Sequence, residues 1–296
     1  MKIITTDYFN IKNSEPLTMT MGNFDGLHLG HQQLIERVLS YSDTKHAVLT
    51  FDPHPSSVLR KQTFRTLTQV GDKIDLFAKY PLDYAFIVNF NQKFSELTVQ
   101  QFIDFLKGIN VKRLIIGRDA RFGYRGEGTI ADLKKYFFVD VVDDLVYNHT
   151  RVSTTYIKDF LSVADLGSAR KLLNRHYDIK GIVVHGNKIG HKLGFPTANI
   201  DYGNYFLPQA GVYYVKVMLD DIWYHGMANI GNNPTLNYTF EKRFEIYILD
   251  FKQDIYGKKL DIVFMHYLRQ ELKFRNRKEL IEQLEKDELA VRKLMI

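Results

Sequence analysis

The sequence predicts an α/β unit followed by an all-β unit, and three observations carry that reading. Residues 17–21, 46–51, 84–88 and 112–117 are short apolar runs separated by stretches of helical spacing. That alternation belongs to a parallel, doubly wound sheet. Segments 213–218 and 244–249 instead alternate at period two, between turns rich in Gly, Asn, Asp and Pro. That is the pattern of an antiparallel barrel or sandwich. Between the first strand and the first helix stands a Gly-rich turn, GNFDGLHLGH at 22–31. Strand, Gly-rich turn and helix form the arrangement with which α/β proteins hold phosphate.

Composition sets the outer limits. A chain of 296 residues is long for one core, so two domains are expected. We place the boundary near Asp178, giving 1–177 and 178–296, joined by helix because no low-complexity linker intervenes. No apolar run approaches the roughly 18 residues of a membrane span. The N-terminal stretch has no apolar core or small-residue cleavage site, so a cytoplasmic, non-membrane protein is expected. With no cysteine there is no disulfide, thiol nucleophile or cysteine-bound metal. The net charge of +6 suits polyanionic ligands. Its basic residues are dispersed among acids, which favours nucleotides over nucleic acid. Oligomeric state is not legible.

In order, residues 17–21 read as a buried strand and 32–41 as an amphipathic helix. The next strand, 46–51, is ended by Pro53 and Pro55. Residues 69–80 have helical spacing, with Val70, Ile74 and Phe77 on one face. A strand at 84–88 follows, then a helix over 95–107 opened by Ser95-Glu96 and closed by Gly108. Strand 112–117, helix 130–136 and strand 137–142 complete the alternation. The polar stretches 22–31, 52–57 and 117–128 all fall at carboxyl ends of strands, where such sheets bind ligands. Helices are expected from Ser153 to about Leu161 and, capped by Asp165, to about Asn174. Strands then run from Tyr177 to His266. A final amphipathic helix, 276–295, carries Leu280, Leu284 and Leu289.

The turn itself implies chemistry. His28 and His31 are three apart at a helix start and project to one side. Backbone N–H groups and the helix dipole add a positive field there. Protonated or donating imidazoles could stabilise the charge of a phosphate under attack. A zinc site would want His at i and i+4 with an intervening Glu, which is absent.

Taken together, GNFDGLHLGH with TFDPHP at 50–55 resembles the adenylyltransferase module of the bacterial bifunctional riboflavin kinase/FAD synthetase family. The second half, with GIVVHG at 181–186, GHKLGFPTANI at 190–200, GMANIG at 226–231, Glu245 and Leu268-Arg269, resembles that family's riboflavin kinase module. The resemblance implies a Rossmann-like nucleotidyltransferase sheet and a riboflavin kinase barrel. It implies transfer of AMP from ATP to FMN in the first module, with Mg²⁺ and release of pyrophosphate. In that module Gly22, Asn23, Gly30, His28, His31 and Asp119 would face ATP. Ser153, Thr154, Thr155 and Lys158 would form the phosphate loop, and Phe24, Asp25, Asp52 and His54 would meet the flavin side. In the second module riboflavin becomes FMN. Glu245 would be the general base, and Thr197 and Asn199 would hold Mg²⁺. Gly186, Gly190 and Gly194 would flank ATP in a flap, and Asn229 and Arg269 would contact flavin.

Departures cluster in the first half. Lys158 stands where the family has Arg, keeping charge but losing the bidentate fork. Ala120 replaces an aromatic, and Gly126 an Arg, with Arg125 beside it. In the second half Asn233, Tyr247 and His191 depart, without removing the base or the magnesium residues. A kinase with a weak or inactive adenylyltransferase unit, and a non-catalytic flavin- or nucleotide-binding regulator, are the alternatives.

Overall fold

A computed structural model describes residues 1–60, 64–185, 197–232 and 242–295. By contacts the chain forms two compact units, Met1–Thr154 and Thr155–Ile296.

The first unit contains β1 (Lys2–Thr6), β2 (Leu17–Met21), α1 (Leu29–Leu39), β3 (Lys45–Asp52), α2 (Pro55–Leu59), α3 (Val70–Phe77), β4 (Tyr84–Asn89), α4 (Gln92–Ser95), α5 (Val99–Gly108), β5 (Val111–Gly117), α6 (Ile130–Lys134) and β6 (Phe138–Val142). A short hairpin follows, β7 (Val146–Tyr147) and β8 (Thr150–Arg151), and then α7 (Thr154–Ser162) begins. The six long strands are parallel in the order β1-β4-β3-β2-β5-β6. From β2 the chain builds β3 and β4 on one side, then crosses back to lay β5 on the other. The strand order therefore reverses beside β2, and the Gly-rich turn leaves β2 at that switch point.

Both sheet faces are covered, which is why these strands read as continuous apolar runs rather than alternating ones. Leu17, Met19, Leu49, Phe86 and Leu114 join α5 residues Phe102 and Leu106 in one core. Val48, Ala85 and Ile115 join Ile35 and Val38 of α1 and Phe77 of α3 in another.

Three local readings are corrected. The third predicted helix starts at Val99, not Ser95, because Thr98 and Gln101 form a reciprocal capping box. Ser95 instead ends the short α4. Gly108 stays helical, and the positive φ after this helix is taken by Asn110 (+61°). The unassigned N-terminus supplies the edge strand β1. The β7–β8 hairpin turns on Asn148 and His149, both at positive φ, as a two-residue type I′ turn requires.

The second unit continues with α8 (Leu166–Leu173), β9 (Asp178–Val184), β10 (Thr197–Asp201), β11 (Gly211–Leu219), β12 (Ile222–Asn232), β13 (Lys242–Ile248), β14 (Lys259–Arg269) and α9 (Arg277–Leu294). The strands close as a barrel, β10-β13-β12-β11-β14-β9, with every described pairing antiparallel. Tyr213, Ala228, Ile230, Phe244, Ile246 and Phe264 are buried and fill the lumen. α8 packs on β14, and α9 lays Val291 against Tyr214, Met227 and Leu249 on the outer wall. Leu289 does not belong to that face: it is 59% exposed. It follows Leu280 by about two and a half turns, roughly the opposite side of the helix. The buried position is Asp287 instead.

Candidate active sites

In the first unit the turn after β2 is wound tightly. Phe24, Gly26 and Leu27 all have positive φ (+48°, +83° and +40°). Interactions from four directions hold it. Asp25 Oδ1 accepts from the backbone N–H of Leu67 (2.7 Å) and Thr68 (3.0 Å). Gly26 N–H donates to Thr68 Oγ1 at 2.8 Å, Gln32 Nε2 donates to the Leu27 carbonyl at 2.9 Å, and Thr154 Oγ1 donates to the Asp25 carbonyl at 2.8 Å. Phe24 is fully buried, edge-on to Phe77 and His31. Gly22 is anchored by its N–H to the Leu49 carbonyl at 3.0 Å.

His28 is the N-cap of α1, and its ring stacks on that of His31 with centroids 3.6 Å apart and planes 18° from parallel. Gly30 leaves room for the stack, since a Cβ there would stand 3.3 Å from His28 Cε1 and Nδ1 and press on that ring. Burial, reinforced by the Arg151 guanidinium, pulls the His28 pKa down to about 4. Burial, then His28, Lys73 and Arg151, holds His31 well below its ordinary value. Without a ligand, both imidazoles are held toward their neutral form. His31 Nδ1 is buried without a hydrogen-bond partner among the described residues.

Two residues here escape sequence reasoning. Lys73 on α3 is buried, with Nζ donating to the carbonyls of Asn23 (3.2 Å) and Phe51 (3.2 Å) and to Thr50 Oγ1 (3.3 Å). Its one signal is a lysine inside the Val70, Ile74, Phe77 stripe. Arg151, on β8, donates Nη1 to Asp119 Oδ2 at 2.6 Å and places Nε 2.9 Å from Asp144 Oδ1. That contact holds the Asp119 carboxyl below the usual range. Arg151 immediately precedes the predicted phosphate loop.

The other predicted residues are dispersed around this turn or along the chain beyond it. Asn23 and Asp52 are exposed, at the carboxyl ends of β2 and β3. His54 caps α2, accepting from Ser56 N–H at 3.1 Å, and stacks on Phe64. Ser153 is half-buried ahead of α7. Thr155 and Lys158 lie on α7 in the second unit, with Lys158 Nζ 5.7 Å from the Phe206 ring centroid.

In the second unit, strand register brings the predicted kinase residues into one row. Glu245 on β13 is the direct partner of Asn199 on β10 and of Asn229 on β12. Asn229 is the partner of Val212 on β11, and Val212 of Arg269 on β14. Register partners share a face. Glu245 alternates with the buried Phe244 and Ile246, so the row lies on the outer wall of the barrel. Thr197, two residues before Asn199, faces the same way beside Tyr247. Arg243 Nε is 3.7 Å from Glu245 Oε1. Arg269 is committed to Asp287 of α9, with Nη2–Oδ2 2.6 Å and Nε–Oδ1 3.0 Å, and Gln283 also donates to Asp287. Gly186, Gly190 and Gly194 lie outside the described residues, as do His191 and Asn233.

No cluster of three or more His, Cys, Asp or Glu side chains suited to a metal occurs among the described residues. A hydroxyl at Thr197 and an amide oxygen at Asn199 on one face are nonetheless hard oxygen donors. They fit Mg²⁺ completed by water and phosphate oxygens rather than an all-protein cage. No described helix is long and apolar enough to cross a membrane.

Two family models match the chain, FAD synthetase over residues 10–156 and riboflavin kinase over 173–295. The bifunctional riboflavin kinase/FMN adenylyltransferase of Listeria monocytogenes is 41% identical, covering 98% of this chain and 95% of its own. Its namesake in Bacillus subtilis is 38% identical (96% and 94%), and that in Escherichia coli strain K12 is 33% identical (94% and 92%). A solved structure described as a macrolide-efflux protein from Streptococcus pneumoniae superposes with a TM-score of 0.87 at 29% identity, over 98% of both chains. On this similarity along nearly its full length, the chain belongs to the bifunctional riboflavin kinase/FMN adenylyltransferase family.

Proposed function

We propose that the barrel unit phosphorylates riboflavin to FMN and that the parallel-sheet unit adenylylates FMN to FAD, with ATP as donor in both. One observation carries this reading: each compact unit holds its own set of groups suited to its reaction, the stacked His28–His31 pair in one and the Asn199–Glu245–Asn229 row in the other.

In the barrel, the ribityl 5′-hydroxyl is a weak nucleophile, and Glu245 accepts its proton as the oxygen attacks the γ-phosphorus of ATP, the bond to the β,γ-bridging oxygen breaks and ADP leaves. Asn229, the partner of Glu245 on β12, positions the flavin, and Arg269 is oriented by Asp287 at the far end of the row. Thr197 and Asn199 would hold Mg²⁺, which supplies neutralisation of phosphate charge.

In the parallel-sheet unit the FMN phosphate is itself the nucleophile, so no side chain needs activation. Its oxygen attacks the α-phosphorus of ATP, and pyrophosphate leaves. His28 and His31 donate to phosphate oxygens, together with backbone N–H groups at the start of α1. Asn23 and Asp52 present side chains to the ligands. Phe24 and Asp25 act from behind, by fixing the turn. Asp119, paired with Arg151, serves the ATP phosphates together with Ser153 and Thr154. A cytoplasmic location, where ATP is held, fits both reactions.

The test is incubation with riboflavin, ATP and Mg²⁺ followed by chromatographic resolution of FMN and FAD. Both products are expected. FMN alone restricts the activity to the kinase, and neither product with tight flavin binding makes the chain a regulator.

A further inference from the structure

Lys73 has no part in the mechanism above, yet it is among the few charged side chains buried in the first unit. An ammonium has three donors and no acceptor. At Lys73 the three partners lie on two different segments: the Asn23 carbonyl in the turn after β2, and Thr50 Oγ1 and the Phe51 carbonyl at the end of β3. Thr50 Oγ1 also donates to the Asn23 carbonyl at 3.2 Å, so the three segments share one knot. Directly beyond it, the exposed side chains of Asn23 and Asp52 stand at the carboxyl ends of adjacent parallel strands. These are the strands flanking one side of the switch point.

All three acceptors are formally neutral. A purely structural tie between two carbonyls and a hydroxyl needs donors but no charge, and a buried charge is costly to keep. The buried ammonium instead donates to the backbone of a turn whose proposed ligands are polyanions. Burial pulls the Lys73 pKa below its ordinary value, and the carboxylates of Asp25, Asp52 and Asp72 oppose that by favouring its charged form. The charged and titratable groups acting on His31 are His28 in the same turn, Lys73 from α3 and Arg151 from β8.

We propose that Lys73 is a positioning residue for adenylyl transfer: it ties the carboxyl ends of β2 and β3 together beneath the ligands and places a buried ammonium behind the turn. This rests on the adenylyltransferase reading of the first unit. The lysine touches no ligand, so it acts through the backbone of Asn23 and Phe51 and through the field at His31. The barrel unit serves as an internal control, because FMN formation uses none of these groups.

The experiment compares wild type, Lys73→Met, Lys73→Arg and Thr50→Val. It measures FMN-to-FAD conversion, riboflavin-to-FMN conversion and the NMR titration of the His31 ring. Lys73→Met is expected to lower kcat for FAD formation at least tenfold with a smaller change in the KM for ATP. It should leave FMN formation within twofold and raise the His31 pKa. Lys73→Arg should restore the low His31 pKa while recovering only part of kcat, because a planar guanidinium cannot meet all three acceptors. A folded Lys73→Met with unchanged FAD formation and an unmoved His31 titration overturns the proposal. If Lys73→Met does not fold, Thr50→Val decides: loss of FAD formation supports the knot, and full retention reduces Lys73 to a structural pin. A wild type that makes no FAD defeats the adenylyltransferase reading, while the His31 titration still reports on Lys73.

Discussion

Asn199 and Glu245 face each other as direct register partners on β10 and β13. The proposed base and the amide are thus held by two hydrogen-bonded strands, not by loops. Glu245→Gln keeps the shape and removes the proton acceptor. FMN formation should fall on the order of 10²–10⁴-fold, with conversion of added FMN to FAD unchanged. Separate assays of the two reactions check this, and loss of both in a folded variant would refute separate sites.

The His28–His31 stack gives the reciprocal expectation. Removing one preorganised donor costs on the order of 10²–10³ in rate. His31→Ala should therefore suppress FAD formation by that factor and leave riboflavin phosphorylation intact, as read by the same chromatography.

Gly30 sits in the first turn of α1, where alanine is compatible with the backbone. Its added Cβ would press on the His28 ring at 3.3 Å. Gly30→Ala should leave thermal stability almost unchanged, since alanine favours a helix by up to about 1 kcal/mol. It should lower FAD formation roughly tenfold by tilting the stack, where even a 1 Å misplacement can be felt. Wild-type rates in this variant would mean that the stack is not the working geometry.

His28 titrates near 6.5 in an unfolded chain and near 4 when folded. Between those values the unfolded chain binds the extra proton, so acid favours unfolding. The contribution is complete above pH 6.5 and is lost as pH falls toward 4, on the order of 3 kcal/mol in total. Urea unfolding of the first unit at pH 7.5 and pH 4.5 should show this drop, and His28→Asn should flatten it.

Asp287 and Arg269 tie α9 to the last barrel strand, and their side chains are only 5% and 18% exposed. Asp287→Ala strands the guanidinium and should destabilise the barrel unit by roughly 3 kcal/mol. Replacing both together, Arg269→Met with Asp287→Leu, should recover most of that loss. Calorimetry distinguishes the outcomes, and equal destabilisation by the single and double variants would contradict the pairing.

The parts of the fold visible in sequence are those encoded locally. β2, the turn and α1 are adjacent in the chain, and the apolar runs of a doubly covered sheet announce themselves without partners. Asp165 was legible as the cap of α8, and its side chain does accept from Ser168 N–H. What escaped depends on distant contacts. Lys73 reads as a solvated lysine until α3 packs on the sheet, and Arg151 becomes part of the site only when β8 meets Asp119 and Asp144. Asp287 occupies a slot in α9 that periodicity assigns to an apolar residue, because its neutraliser comes from β14. The kinase row is the clearest case. Resemblance points to its members only one at a time, and their alignment across β14, β11, β12, β13 and β10 is a property of register that no local pattern contains.

That register has a further consequence for how the barrel is assembled. Along β13 the proposed proton acceptor Glu245 is flanked by Phe244 and Ile246, which fill the lumen. A slip of one residue would exchange inside for outside along the whole strand. It would drive a carboxylate into the apolar interior and expose two large hydrophobes, while moving the base away from both asparagines. A misaligned barrel is therefore both inactive and unstable. Alignment errors in assembly are penalised before any substrate arrives, so the packing of the lumen acts as a proofreader for the chemistry on the wall.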